Sequence, residues 1–292
     1  MSRASGQPGR QARDRKTQSA GSDAVLPYTA WLSVFIIPFL VAASVLLYIF
    51  PANTEELFAW TIAPPLTAML LASAYIGGIW FFVQVVVLRR WHRFQYGFAA
   101  VVVFATLLGV ATFLHWDRFH FGHISFITWA TLYVITPFLT FAALLANRRA
   151  DDSAQEGRDV LVPWPARIVL AAVGILALVC GLVIFIAPNL AIEMWAWEVT
   201  PLTARVIGAV LTLPGMVNLW LLRDGRWSSF RWMFQAQLVS LVFISAALLL
   251  AWNNIAWSRP SAPLFVSGIL ASLVLYAVFY GYNERKLRLS RS

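Results

Sequence analysis

Eight apolar stretches, each close to twenty residues long and nearly free of charge, constrain this chain more than any other feature: 30–50, 66–88, 97–115, 124–146, 167–187, 202–222, 233–252 and 263–282. Roughly 20 apolar residues in helical conformation cross the hydrocarbon core of a bilayer. Lipid offers no partner to a backbone amide, so each stretch must satisfy its own N–H and C=O groups as a helix. The composition agrees, at 60% hydrophobic and 12% charged, whereas soluble chains are roughly a quarter charged. The sequence predicts an all-α polytopic membrane protein of eight transmembrane helices.

Charge orients the spans. Of the 22 lysines and arginines, all but Arg118, Arg205 and Arg259 fall in the terminal segments or near the even-numbered loops. The positive-inside rule then places both termini in the cytoplasm. The net charge of +9 is accounted for by topology, and no nucleic-acid-binding motif accompanies it. The bilayer is the expected partner; a homo-oligomer or a larger membrane complex is compatible with the pattern. Residues 1–27 are too polar to fold alone and read as a disordered cytoplasmic tail. Cys180, the single cysteine, excludes an internal disulfide, a CxxC redox pair and covalent c-type haem. It reads as a small packing residue.

The chain also resembles itself. Pro51, Glu56, Ala59, Trp60 and Pro64 match Pro188, Glu193, Ala196, Trp197 and Pro201 at one constant separation. Pro65 shortens the separation by one. Leu66-Thr67-Ala68 then matches Leu202-Thr203-Ala204, Arg90-Trp91 matches Arg226-Trp227, and Trp116 matches Trp252. Fixed-period self-similarity is the signature of a repeated unit. Each unit has four spans, so both enter from the same side and form parallel rather than inverted repeats. The expected organisation is a tail (1–27), repeat one (28–148), a cytoplasmic linker (149–163) and repeat two (164–292). In each repeat a Pro ends the first span and a short interfacial segment follows. Leu57, Phe58 and Trp60, like Met194, Trp195 and Trp197, are expected to lie on the bilayer. Asn53 and Glu56 have capping-box spacing, and Thr200-Pro201 reads as an N-cap with Pro at the first helical position.

Three places could carry function. Gly77-Gly78 aligns with Leu213-Pro214, followed by Gly215, so the second span of each half is weakened at one depth. Matched interruptions point to a central binding site between repeats; close helix packing through small residues is the plainer reading. Arg205 lies about one turn into the sixth span where the first half has Met69. It suits an anion site beside a helix N-terminus, or a structural ion pair with Glu198, Glu193 or Asp117. The third place is His115, Asp117, His120 and His123 in the sequence HWDRFHFGH. Imidazole and carboxylate together suit a metal, although His115 lies off the face shared by His120 and His123. His92, among arginines, reads as solvated. No cofactor is evident, and a metal enters only through this cluster. No span carries an acid or a histidine near its middle, which counts against proton-coupled transport and against haem held between helices. P-loop, GxSxG and HExxH motifs are absent from the sequence.

The stretch from Trp195 to Arg205, W-x-W-x-V-T-P-L-T-A-R, together with HWDRF at His115–Phe119, resembles a group of uncharacterised bacterial multi-pass membrane proteins. Each four-span half also resembles DoxX-type four-helix membrane proteins in topology. The resemblance implies a bacterial inner-membrane location and carries no activity. The expected function is non-catalytic binding or passage of a small or lipid-like ligand between the repeats, at Gly77, Gly78, Pro214, Arg205 and Glu198. The alternatives are a membrane oxidoreductase or metal-dependent enzyme using the His/Asp cluster, and an accessory subunit of a membrane complex.

Overall fold

The computed structural model describes residues 23–150 and 159–290. Most of the expected tail and the centre of the expected linker lie outside them. The described residues form α-helices α1 (Pro27–Ile49), α2 (Thr54–Leu57), α3 (Pro65–Leu88), α4 (Gln95–Leu114), α5 (Ile124–Asn147), α6 (Trp164–Ile186), α7 (Pro188–Met194), α8 (Pro201–Trp220), α9 (Trp227–Leu250) and α10 (Ser261–Leu289). All except α2 and α7 are long and apolar enough to cross a membrane. Two run well past their expected ends, α9 at its start and α10 at its finish. Residue α9 starts from, Trp227, donates its indole N–H to Glu284 Oε1 (2.9 Å), and Arg231 clasps the same carboxylate through Nε (2.6 Å) and Nη2 (2.7 Å). That shared acid holds polar turns at both helix ends in helical form, where hydropathy alone would stop the spans.

The helices pair in a regular way. Within the first half α1 packs on α3 and α4 on α5; within the second, α6 packs on α8 and α9 on α10. Between halves α3 packs on α9 and α4 on α8. The second span of each half therefore lies against the third span of the other, and α3 and α8 scarcely touch. Small residues set the closest approaches, as expected where backbones must meet without a hydrophobic driving force. Gly174 and Gly181 of α6 face Gly215 and Gly208 of α8 so closely that a methyl on any of them would come within 3.1 Å of the opposite glycine's carbonyl oxygen.

Backbone hydrogen bonds match across the halves. On the arginine-rich side, Val25 N–H donates to Arg89 O and Trp91 N–H to Asp23 O; Val162 donates to Gly225 O and Trp227 to Val160 O. On the opposite side His120 N–H donates to Ala59 O, and Ala256 N–H to Ala196 O. Asp23 and Asp159 play like parts. Asp23 Oδ1 accepts from His92 N–H (2.9 Å) and Oδ2 from His92 Nδ1 (2.6 Å). Asp159 accepts from Ser228 N–H (3.0 Å) and Ser228 Oγ (2.5 Å). Asp23–Val25 is thus tied to the helical body, and His92 is buried rather than solvated: a carboxylate delivered by the preceding chain satisfies the imidazole where water was expected.

The segments between first and second spans also differ from expectation. Leu57 and Met194 are exposed, but Phe58, Trp60 and Trp197 are buried. Trp60 packs against Phe58, Phe119 and Trp129, with ring centroids 4.7–5.4 Å apart. Trp197 packs against Trp195 and Phe265 at 5.3 and 5.1 Å. These indoles plug the helix ends instead of anchoring them in lipid. The capping box at Asn53 does not form; Thr54 Oγ1 instead holds Ile62 through its N–H and its carbonyl. Thr200 is the N-cap of α8, as expected, and it forms a capping box with Thr203. Pro65 and Pro201 are both first residues of their helices. Pro65, rather than Pro64, is therefore the structural counterpart of Pro201, because the first helical position needs no N–H.

Candidate functional site

The inner faces of the helices line a cavity of about 360 Å³, within the roughly 300–1,000 Å³ common to small-molecule sites. All eight long helices contribute to its wall, and its residues are mostly Leu, Val, Ile, Ala and Phe. Gly77, Gly78 and Pro214 all line it. Their roles divide. A methyl at Gly77 would collide with Ser240 Oγ and lie 2.7 Å from Ala236 O, so Gly77 also makes the α3–α9 seam. A methyl at Gly78 would meet only the end of Leu40, at 3.3 Å. Gly215 belongs to the α6–α8 seam. The interruptions in α3 and α8 thus divide: Gly77 and Gly215 close the seams, while Gly78 and Pro214 lie at the cavity wall.

No Asp, Glu, Lys, Arg or His lines this cavity. Its polar groups are neutral. Asn218 is 1% exposed and its Nδ2 donates to Tyr276 Oη at 2.6 Å, while its Oδ1 has no partner. Reversing the amide would leave the nitrogen unpaired instead, so one atom stays unsatisfied either way. Gln237 is buried at both amide atoms, and neither has a partner. Tyr75 and Tyr133 satisfy each other, Oη to Oη at 2.8 Å. Gln235, which does not line the cavity, bonds Tyr280 and accepts from Trp80 Nε1 (3.1 Å). Unpaired buried polar groups cost about 1–3 kcal/mol each. Three amide atoms are left in this condition at one apolar cavity. Only a faint sign of this is legible in the sequence: Asn218 and Gln237 stand where the matched first-half positions are Phe82 and Val101.

Arg205 and Glu198 lie elsewhere, at the end of α8 opposite the arginine-rich side. Glu198 is exposed. Arg205 does not bond it, nor Glu193 or Asp117; its Nη1 donates to His115 Nε2 at 2.5 Å, reaching across the halves. The cause is geometric: the capping box turns the Thr200 loop so that Glu198 faces outward, and α4, packed on α8, presents its final residue's neighbour, His115. An imidazole that accepts from a guanidinium must be neutral at that nitrogen. Burial first, and then the Arg205 charge, push the His115 pKa below its ordinary value, against the pull of Asp117.

The remaining members of the His/Asp cluster are also committed separately. Asp117 pairs with Arg118 at 3.2 Å on the exposed surface. His120 holds the first-half loop through Nδ1 to Phe58 O (3.0 Å) and Nε2 to Thr61 Oγ1 (3.1 Å). Arg259 does the same for the second half, donating to Trp195 O at 3.0 Å. His123 places its ring 5.7 Å from that of His120. No group of three His, Cys, Asp or Glu side chains among the described residues is arranged to hold a metal ion. The four sequence-selected residues are spread over three separate interactions. Comparison with known families, characterised proteins and solved structures finds no match to this chain.

Proposed function

We propose that this integral membrane protein binds a small, lipid-like molecule in the cavity between its two halves, without catalysing a reaction on it. The observation that carries the reading is the apolar cavity lined by Gly77, Gly78 and Pro214 at the meeting of the halves. Its wall offers no carboxylate, imidazole, thiol or amine for acid–base or nucleophilic work. The hydrocarbon environment outside is continuous in character with the lining, which favours an occupant drawn from the bilayer. The halves are read as parallel repeats in a bacterial inner membrane with cytoplasmic termini. The matched hydrogen bonds of Trp91 and Trp227, and of His120 and Ala256, support the repeat.

The test is native mass spectrometry of protein released from nanodiscs, beside a cavity-filled Ala105→Trp variant. Wild type should retain an adduct of defined mass that the variant lacks. Equal adducts on both would place the lipid on the outer surface and overturn the reading.

A further inference from the structure

We infer that the cavity selects an uncharged lipid whose head both donates and accepts hydrogen bonds, such as a long-chain alcohol or primary amide, and that Gln237 and Asn218 read that head. The inference rests on the proposed function above and specifies its ligand. Three observations carry it. The lining contains no ionisable acid or base except tyrosine, so a charged head would be buried without a counter-charge, which is strongly unfavourable. An alkane would leave the unpaired atoms of Gln237 and Asn218 unsatisfied. Those atoms include a free carbonyl oxygen and a free amide N–H₂ on Gln237, one acceptor and one donor, so a hydroxyl or amide answers both at once.

Placement supports the same head position. Asn218 of α8 bonds Tyr276 of α10. The Tyr276 ring packs on Phe234 at 5.2 Å, and Phe234 lies one turn before Gln237 on α9. Ser240, one turn further, also lines the cavity. The unpaired amide atoms thus lie on the second half's side, while the matched positions of the first half, Phe82, Val101 and Phe104, are apolar and its Tyr75 and Tyr133 hydroxyls are bonded to each other. A ligand would enter this frame in one orientation, head toward Gln237 and tail against the first half.

The experiment uses purified full-length protein in micelles and a twelve-carbon alcohol carrying a diazirine in its tail. Cross-linked residues are mapped, and labelling is competed with dodecanol, dodecylamine, dodecanoate and dodecane at equal mole fraction in the micelle. The expected result is labelling of cavity residues on the first half, with dodecanol competing about tenfold better than the others, the factor for one or two neutral hydrogen bonds. Gln237→Leu, which removes no existing bond, should keep the label and reduce that preference to about threefold or less. Labelling in the cavity with equal competition by all four compounds would overturn the head selectivity and leave the binding cavity standing. Strongest competition by the amine or the carboxylate would overturn it as well. Absence of label from the cavity would overturn both this inference and the proposed function.

Discussion

Gly77 and Gly78 are neighbours in one helix, yet alanine should act oppositely at the two positions. A Gly→Ala change in a helix interior gains about 0.5–1 kcal/mol from backbone entropy, and this gain is common to both. At Gly78 the new methyl meets only Leu40 Cδ1 at 3.3 Å, and a leucine end can turn aside. At Gly77 it meets Ser240 Oγ and, at 2.7 Å, the carbonyl oxygen of Ala236, which is backbone of the facing helix and cannot. Overpacking of this kind costs about 1–3 kcal/mol. Subtracting the shared gain leaves Gly77→Ala less stable than Gly78→Ala by about 1–3 kcal/mol, with Gly78→Ala at or above wild type. Unfolding in mixed micelles followed by circular dichroism measures this difference. Adding Ser240→Ala to Gly77→Ala should restore part of the loss, because Ser240 Oγ goes and Ala236 O stays. Equal stability of the two single variants, within about 0.5 kcal/mol, would refute the α3–α9 seam as described.

Other perturbations follow from individual bonds. His115 has a folded-state pKa below its ordinary 6.5, so the unfolded chain binds more protons once pH falls toward that value; stability should drop between pH 7 and 5, and less so in His115→Gln. Trp197→Phe removes a bond from the indole to Thr67 Oγ1 (2.9 Å), whereas Trp60 Nε1 has no partner, so in thermal unfolding Trp197→Phe should cost about 1 kcal/mol more than Trp60→Phe. A periplasm-dependent reporter fused after Ala52 or Asn189 should be active and one fused after Gln95 silent; activity at Gln95 would reverse the orientation drawn from the arginines.

The spans were legible because lipid admits one solution to the backbone hydrogen-bond problem, and their apolar lengths state it directly. The likeness of the segments around Trp60 and Trp197 is visible in the sequence, but the burial of these two indoles is not. Tryptophan near a span end is usually an interfacial anchor, and only the return of the loop onto Phe119 and Phe265 turns it inward. Gly77, Gly78 and Pro214 stood out through their matched position, whereas Asn218 and Gln237 did not, since a single amide in an apolar run gives no periodic signal. The Arg205 partner was missed for a related reason: proximity in sequence favoured Glu198, while helix packing across the halves supplied His115. Trp60 shows the same limit. Symmetry with Trp197 assigns it Thr203 as acceptor, but Thr203 is already held by Thr200 in the capping box.

The cavity between the halves is proposed as a ligand site, not a packing defect. A cryo-electron microscopy map of the protein in native-lipid nanodiscs tests it most directly. An elongated density along Gly78 and Pro214, ending within hydrogen-bond distance of Gln237, is the expected result. A map in which the helices close over the cavity, with Gln237 and Asn218 bonded to protein atoms and no density between them, would contradict it.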